Sequence, residues 1–281
     1  MAIPTVRRRR LGVELRQLRE ASDLTLEQVE EQTGLSVSKL SRIESATRGA
    51  RPADVDSLMN LYGVQDDSLR SFLALLARDG AKRGWWQTYD LEPVYADFIS
   101  LESDAVSVSA YESLLIPGLL QTAAYARAAV SALGMTTTTD HVNALVEVRI
   151  ARQAVLTRPS PLKFRAIIHE AALMSSASGT SVMRDQLQRL LDVAEYPHVT
   201  IQVLPCAAQL NPGAAGAFTV LGFGQPNMNV ALLEQLDSSL YVEEPSEVGR
   251  YVEAFERITA AALPFDQSLS VISKHKEAAT P

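Results

Sequence analysis

Between Val37 and Arg51 the chain sets small polar side chains and cations at helical spacing. Val37, Ser38, Lys39, Ser41 and Arg42 share the free face of a short helix, and Arg48 and Arg51 follow it. Such side chains suit hydrogen bonding to base edges in a major groove, where bulk would obstruct approach, while arginines at the margins hold phosphates. Val37, Ser38, Lys39 and Arg42 are therefore the candidate base readers. A second set of cations, Arg7 to Arg10, opens the chain. Arg8 and Arg10 join Arg48 and Arg51 as candidate phosphate contacts, and Thr25, Gln28 and Ser36 join them as residues at two helix starts, where backbone amides favour an anion.

Other residues with chemical potential fall short of a motif. His169 to Leu173, HEAAL, has the first half of a zinc-protease helix and no second histidine, and His141, His198 and His275 lie far apart. GFGQPN, Gly222 to Asn227, lacks the third glycine of a dinucleotide loop and reads as a hairpin connection. Cys206 follows a strand with no visible partner base, so an inert thiol is expected. The hydroxyl-rich Ser175 to Ser181 reads as helix capping. Pro117-Gly118 is a turn signal, and beside it Tyr111, Glu112 and Gln121 form the candidate ligand pocket. Glu234, Glu243 and Glu244 read as solvated strand-end charges. No metal site and no cofactor is expected.

The elements that must position the first set are legible in order. Leu11, Leu15 and Leu18 recur at i, i+4, i+7 and predict a helix over 7–22. Thr25 followed by Gln28 is a capping box, with Leu24 and Val29 as its staple. Gly34 sits where a left-handed residue ends that helix, and Ser36 caps the next. Pro52 opens a fourth helix that stops at Gly63, and a fifth spans about 66–79. Five short helices with tight turns make a bundle over residues 1–79.

A change of texture at Asp79 to Trp86 marks a boundary, with residues 80–88 as linker and Trp85 and Trp86 expected as a packing anchor between domains. Beyond it, strand-like runs cover 106–112, 163–169, 199–205, 216–223, 230–236 and 239–244, among helices at 122–133, 139–157, 181–195 and 246–262. A larger mixed α+β domain over 89–273 is expected, then a flexible tail over 274–281. The fold class is thus an N-terminal five-helix bundle followed by an α+β domain.

The 281 residues carry a formal charge of −7. Residues 1–79 hold twelve Arg/Lys against twelve Asp/Glu, and the rest fourteen against twenty-one, so the acidity belongs to the second part. A locally basic face on a neutral module is what phosphate contact requires. No apolar run approaches the roughly 18 residues of a membrane span, the basic start lacks a secretory apolar segment, and a single cysteine fits a reducing compartment; no membrane partner and a cytoplasmic location are expected.

Residues 7–63, through LRQLREASDLT, the turn glycine and SVSKLSRIE, resemble the lambda-repressor/Cro type (XRE family) helix-turn-helix. The resemblance implies a positioning helix over 25–32, a recognition helix over 36–46, and a structural ion pair between Arg19 and Glu44. One departure is Glu30, where the family usually has a small residue because two helices cross closely; here the side chain must extend to solvent or meet a base such as Arg42. Residues about 85–275, through YESLLIPGLLQTAAYARA, RIARQ, HEAAL and VTIQVLP with GAFTVL, resemble the domain of unknown function that follows the helix-turn-helix in WhiJ-like regulators of actinobacteria.

Together these imply a non-enzymatic, sequence-specific transcriptional regulator that binds double-stranded DNA as a homodimer, since one short helix reads few bases. The second domain would answer to a small-molecule effector or a small protein partner. Two rivals stand beside this: a DNA-tethered enzyme acting on a nucleotide or metabolite, marked by convergence of Glu112 and Glu234 with shifted pKa values, and the DNA-binding half of a toxin–antitoxin-like pair.

Overall fold

The structure is a computed structural model and describes residues 6–77, 85–134, 138–174, 179–224, 226–235 and 238–279. Two compact units divide the chain: Met1–Thr88 with Glu92–Leu101, and Tyr89–Leu91 with Glu102–Pro281. The sequence reading draws one cut at residue 88, whereas packing divides helix α6 (Pro93–Asp104) between the units.

The first unit begins with α1 (Val6–Ala21), α2 (Leu26–Thr33), α3 (Val37–Glu44), α4 (Pro52–Leu61) and α5 (Asp67–Ala77). Its core gathers the periodic apolar positions: Leu11 and Leu15 of α1, Val29 of α2, Leu40 and Ile43 of α3, Val55, Leu58 and Met59 of α4, and Phe72, Leu73 and Leu76 of α5 are all buried. Helices this short are marginal alone and hold through that shared apolar face. Arg7 donates from Nη2 to the carbonyl oxygen of Ser100 within the same unit.

The second unit is built on a six-stranded mixed sheet in the order β3-β2-β1-β4-β5-β6. The strands are β1 (Ser107–Glu112), β2 (Lys163–His169), β3 (Val199–Leu204), β4 (Phe218–Gly222), β5 (Val230–Glu234) and β6 (Ser239–Val242). β1, β2 and β3 run parallel, as their long helical crossovers require. β4, β5 and β6 are antiparallel additions, the last two through short connections, and GFGQPN falls at the end of β4 and in the β4–β5 connection as read from the sequence. Helices α7 (Ala123–Leu133) and α8 (Thr139–Arg152) join β1 to β2, and α9 (Glu170–Leu173) and α10 (Thr180–Ala194) join β2 to β3. α11 (Pro245–Ala261) and α12 (Phe265–Ala278) close the fold.

Alternation along the strands sorts side chains onto two faces. One face carries Tyr111, Phe218, Val220, Ala231 and Leu233 and packs with Val248, Phe255 and Ile258 of α11. Glu112 and Glu234, one position on from Tyr111 and Leu233, therefore turn to the other face. A bidentate pair between Arg152 and Glu102 (Nε–Oε2 2.8 Å, Nη2–Oε1 2.8 Å) ties the ends of α8 and α6.

The mixed α+β class and all six strands stand where the sequence places them, within two residues at each end. Three helices, α6, α9 and α12, were not expected. The helix expected over 139–157 ends at Arg152 and tightens into a 3-10 turn over Gln153–Leu156. The tail expected from 274 is corrected: α12 continues to Ala278, with His275 Nε2 3.3 Å from Glu170 Oε1 and Lys276 bonded to Gln188 at 2.8 Å. Residues 80–84 of the expected linker and 175–178 of the hydroxyl-rich stretch lie outside the described residues. Trp85 and Trp86 meet edge to face at 5.8 Å, with Trp85 41% exposed.

Candidate nucleic-acid interface

The α2–turn–α3 unit is closed by local chemistry. Thr25 Oγ1 accepts from Gln28 N while Gln28 Oε1 accepts from Thr25 N, so the capping box is complete. Gly34, at φ 71°, adopts the left-handed conformation that ends α2, and its N–H returns to the carbonyl of Glu30. Ser36 Oγ accepts from Lys39 N and starts α3. Each such cap stabilises by about 1 kcal/mol, and none needs a partner from elsewhere in the fold.

The orientation of α3 is set from α1. Arg19 grips Glu44 through Nε to Oε1 at 2.7 Å and Nη2 to Oε2 at 2.9 Å, and its Nη1 donates to the carbonyl of Leu24. The Glu44 hydrogen bond raises the Arg19 pKa further, so the charge is fixed. Gly12 completes the contact: a Cβ there would lie 2.6 Å from the carbonyl oxygen of Glu44 and 2.7 Å from that of Ile43. Backbone meets backbone at that point, which only glycine permits. Sequence reasoning missed Gly12; its one signal was a glycine inside a helical pattern, where it weakens the helix by roughly 1 kcal/mol.

With Leu40 and Ile43 turned inward, α3 exposes Ser38, Ser41 and Arg42, and Val37 is half-buried. Arg42 lies along the helix, its Nε donating to the carbonyl of Ser38 at 3.0 Å. Lys39 differs from its expected place among the free readers: its Nζ is 2.7 Å from Asp54 of α4, and Asp54 also accepts from Arg51 N at 3.4 Å. The charge of Lys39 is thus spent on joining α3 to α4. Glu30 extends to solvent, the first of the two outcomes set by the close crossing.

After α3 the chain reverses through Ala46, at φ 59°, and the amide of Arg48 bonds back to the carbonyl of Arg42 at 3.0 Å. Arg8, Arg48 and Arg51 are exposed, and the Arg8 guanidinium lies beside Gly49, where an added Cβ would sit 3.5 Å from its Nε. α1 and the loop after α3 so form one basic margin. Arg10 does not join it. Its side chain is 4% exposed and pairs with Glu14 at 3.0 Å, so the phosphate contact expected of Arg10 is not carried forward. Thr25, Gln28 and Ser36 spend their side chains on caps and leave a phosphate only the remaining first-turn amides.

In the second unit the structure splits the expected pocket group. Tyr111 is buried on the α11 face, 6.1 Å from Phe218 and against Gly213, while Glu112 points the other way. Gln121 is 2% exposed and committed at both ends, donating to the carbonyl of Ile116 at 2.6 Å and accepting from Arg149 Nη1 at 3.0 Å. What stands near Glu112 instead is Tyr125 of α7 and Arg149 of α8. Burial pushes the Glu112 carboxyl up to about 8, with Glu234 adding to the shift and Arg149 opposing it. Burial also raises the Tyr125 hydroxyl, with Glu112 and Arg149 again acting on it.

Cys206 has a neighbour the sequence did not reveal. Its N–H donates to Glu170 Oε2 at 2.9 Å, and Glu170 Oε1 faces His275. Cys206 is exposed, and the slight desolvation it meets and then the Glu170 carboxylate push the thiol up, which favours its protonated, poorly nucleophilic form. HEAAL forms the single turn α9, with His169 Nδ1 capping Ala171 N at 3.2 Å. Among the described residues no cluster of three metal-ligating side chains occurs, and no helix is long and apolar enough to cross a membrane.

Two family models match the chain. Residues 10–73 match a helix-turn-helix domain, and residues 95–274 match the domain of unknown function DUF5753. The second match spans more than half of the chain, which therefore belongs to the DUF5753 family. No curated protein and no solved structure matches it. The helix-turn-helix match falls on α1 to α5 and points to DNA as a partner.

Proposed function

We propose that this DUF5753-family chain is a sequence-specific, DNA-binding transcriptional regulator of the XRE type, acting as a homodimer whose second domain responds to a ligand or partner. The observation that carries the reading is α3 itself: Arg19, Glu44 and Gly12 fix its angle, and Ser38, Ser41 and Arg42 project from its exposed face within a domain that matches helix-turn-helix proteins. Arg42 and Ser38 read base edges, with Val37 offering apolar contact to a thymine methyl. Arg8, Arg48 and Arg51 hold phosphates along the margin. Two copies are needed because one recognition helix spans too few base pairs for a unique site. The WhiJ-like resemblance of the second domain is consistent with a regulator of this kind.

The test separates the two kinds of contact. Arg42→Ala should weaken binding to the specific site by about 1–3 kcal/mol and relax preference at one base pair, whereas Arg51→Ala should weaken all sequences alike and flatten the salt slope by about one. Equal losses for Arg42→Ala on specific and random DNA would remove it from base reading.

A second reading, a DNA-tethered enzyme, draws on Glu112, since a carboxyl held near neutral pH suits general acid–base work. Incubating the full-length protein with nucleotides and small metabolites and following them by NMR tests this: turnover that Glu112→Gln abolishes supports the enzyme, and no turnover of any of them counts against it.

A further inference from the structure

The carboxyl end of β1 is where the parallel half of the sheet meets its antiparallel half, with β2 on one side and β4 on the other. Crevices outside the carboxyl ends of strands at such switch points are where open α/β sheets bind ligands. Three polar side chains act on one another's charge here: Glu112 from β1, Tyr125 from α7 and Arg149 from α8.

Their hydrogen bonding is incomplete in a specific way. Arg149 is held by Gln121 through Nη1 alone, and its Nε is buried with no hydrogen-bond partner. Arg19 and Arg152 show what the same Nε–Nη2 edge does elsewhere in this chain: each grips a carboxylate with two parallel bonds, on Glu44 and Glu102. Among the described residues the matching edge of Arg149 meets no carboxylate within ion-pair distance. Tyr125, 4% exposed, accepts from Ile116 N at 3.2 Å and has its own proton still to donate. Glu112 and Arg149 are each partly exposed as residues, while the Nε of Arg149 is buried.

The surroundings are rigid. Gln186, wholly buried, accepts from Thr122 N at 2.7 Å and donates to Leu120 O at 2.8 Å, and Gln153 donates to Gln121 O at 2.6 Å. The segment Ile116 to Thr122, which carries Gln121, is thereby clamped, and Gln121 in turn fixes Arg149. A preorganised guanidinium with its two-pronged edge unmatched is a receptor for a planar or tetrahedral oxyanion. The loops that leave the carboxyl ends of the three parallel strands also expose large apolar side chains: Leu114 at 69% after β1, Met174 at 61% after β2 and α9, and Leu210 at 93% after β3.

We propose that Arg149, with Tyr125 and Glu112, receives the anionic group of a small acid at the carboxyl end of β1, and that Leu114, Met174 and Leu210 lie at the end of the sheet where an apolar body would extend. Arg149 takes two oxygens of the anion through Nε and Nη2, and the Tyr125 hydroxyl donates to one of them. Glu112, neutral at pH 7 because burial holds its proton, donates as well and does not repel the anion. Carboxylate and phosphate share this chemistry. The inference rests on the reading of the second domain as ligand-responsive and names the site and ligand class for it.

The experiment uses the full-length protein, with the Arg149 Nε–H resonance assigned by its loss in Arg149→Lys. Octanoate and inorganic phosphate are titrated separately, with chloride at matched ionic strength as control. A saturable shift of that resonance by octanoate assigns a carboxylic acid, and one by phosphate alone assigns a phosphorylated ligand. By calorimetry Arg149→Lys, which keeps the charge and loses the fork, should bind the same anion at least about tenfold more weakly. If neither anion moves the resonance, or if Arg149→Lys binds as tightly as the wild type, the site is overturned. Binding to DNA is measured in parallel: an anion that binds at Arg149 without altering DNA affinity upholds the site and removes the ligand-responsive reading.

Discussion

Arg19 and Arg149 are both held in place by neighbouring side chains, and they end differently. Arg19, in the first unit, spends its forked edge on Glu44 and a third donor on Leu24. Arg149, in the second, is oriented by Gln121 and leaves Nε without a partner. The contrast separates two ways of preparing a binding surface. In the bundle the fork of Arg19 is consumed in fixing α3, and the proposed recognition falls to exposed residues on that frame. At the carboxyl end of β1 the frame is equally fixed, but the groups proposed to receive a ligand are partly or wholly buried, and Arg149 Nε has hydrogen-bonding capacity unspent. A reader of DNA must present its donors outward to a large ligand, whereas a receptor for a small ligand surrounds it.

Changes that open the closed side should have the largest effect. Glu44→Ala strands a mostly buried guanidinium, and thermal or urea unfolding should show a loss of about 3 kcal/mol, with the cost confined to the first unit. Gly12→Ala forces a methyl against two backbone carbonyls that cannot rotate away; it should cost about 1–3 kcal/mol and reduce specific DNA binding more than non-specific binding, because α3 is displaced. A Gly12→Ala protein that binds its site like the wild type would mean that α1 does not set the angle of the reader.

On the open side the effect appears as a pH profile. The Glu112 carboxyl is raised to about 8, against roughly 4.3 when solvated, so the folded protein keeps a proton that the unfolded chain has released. Its contribution to stability is present in full below the lower value, falls as pH rises through the window between the two, and is level above it. Glu112→Gln should remove this slope and leave the variant more stable than the wild type above about pH 8, as read by melting temperature across pH. The smallest effect is expected where the two strategies meet on one residue. Asp54→Asn releases Lys39 from its ion pair, so non-specific DNA binding should tighten slightly and its salt slope steepen by about one.

What was legible in the sequence follows the range of the interactions. Thr25 with Gln28, Gly34 and Ser36 act within a turn of helix, and each does what its position announces. The strands were legible because alternating or continuous apolar runs survive any tertiary arrangement. The Arg19–Glu44 pair was available only through resemblance to a family, since 25 residues separate the partners. Lys39 looked like a free cation because nothing in the sequence marks Asp54 as its partner, whereas Glu14, four residues after Arg10 on the same helix, was a legible partner that was overlooked. Tyr111 and Glu112 looked like one site because they are neighbours, but successive residues of a strand face opposite ways. Arg149 and Tyr125 were inside the quoted motifs and went unnoticed, because what distinguishes them is a missing partner. α6 begins at Pro93 and α12 follows Pro264, with Phe98 and Leu101, and Leu269 and Ile272, at helical spacing, and their signals lay in plain view.

The claim on which the rest depends is that α3 reads sequence. Its most direct measurement is the affinity of the full-length protein for DNA from its own upstream region, at several salt concentrations and against random competitor. A site bound at least about a thousandfold more tightly than random DNA, with affinity falling steeply as salt rises, is the predicted result. Equal affinity for both DNAs, or binding indifferent to salt, would contradict it.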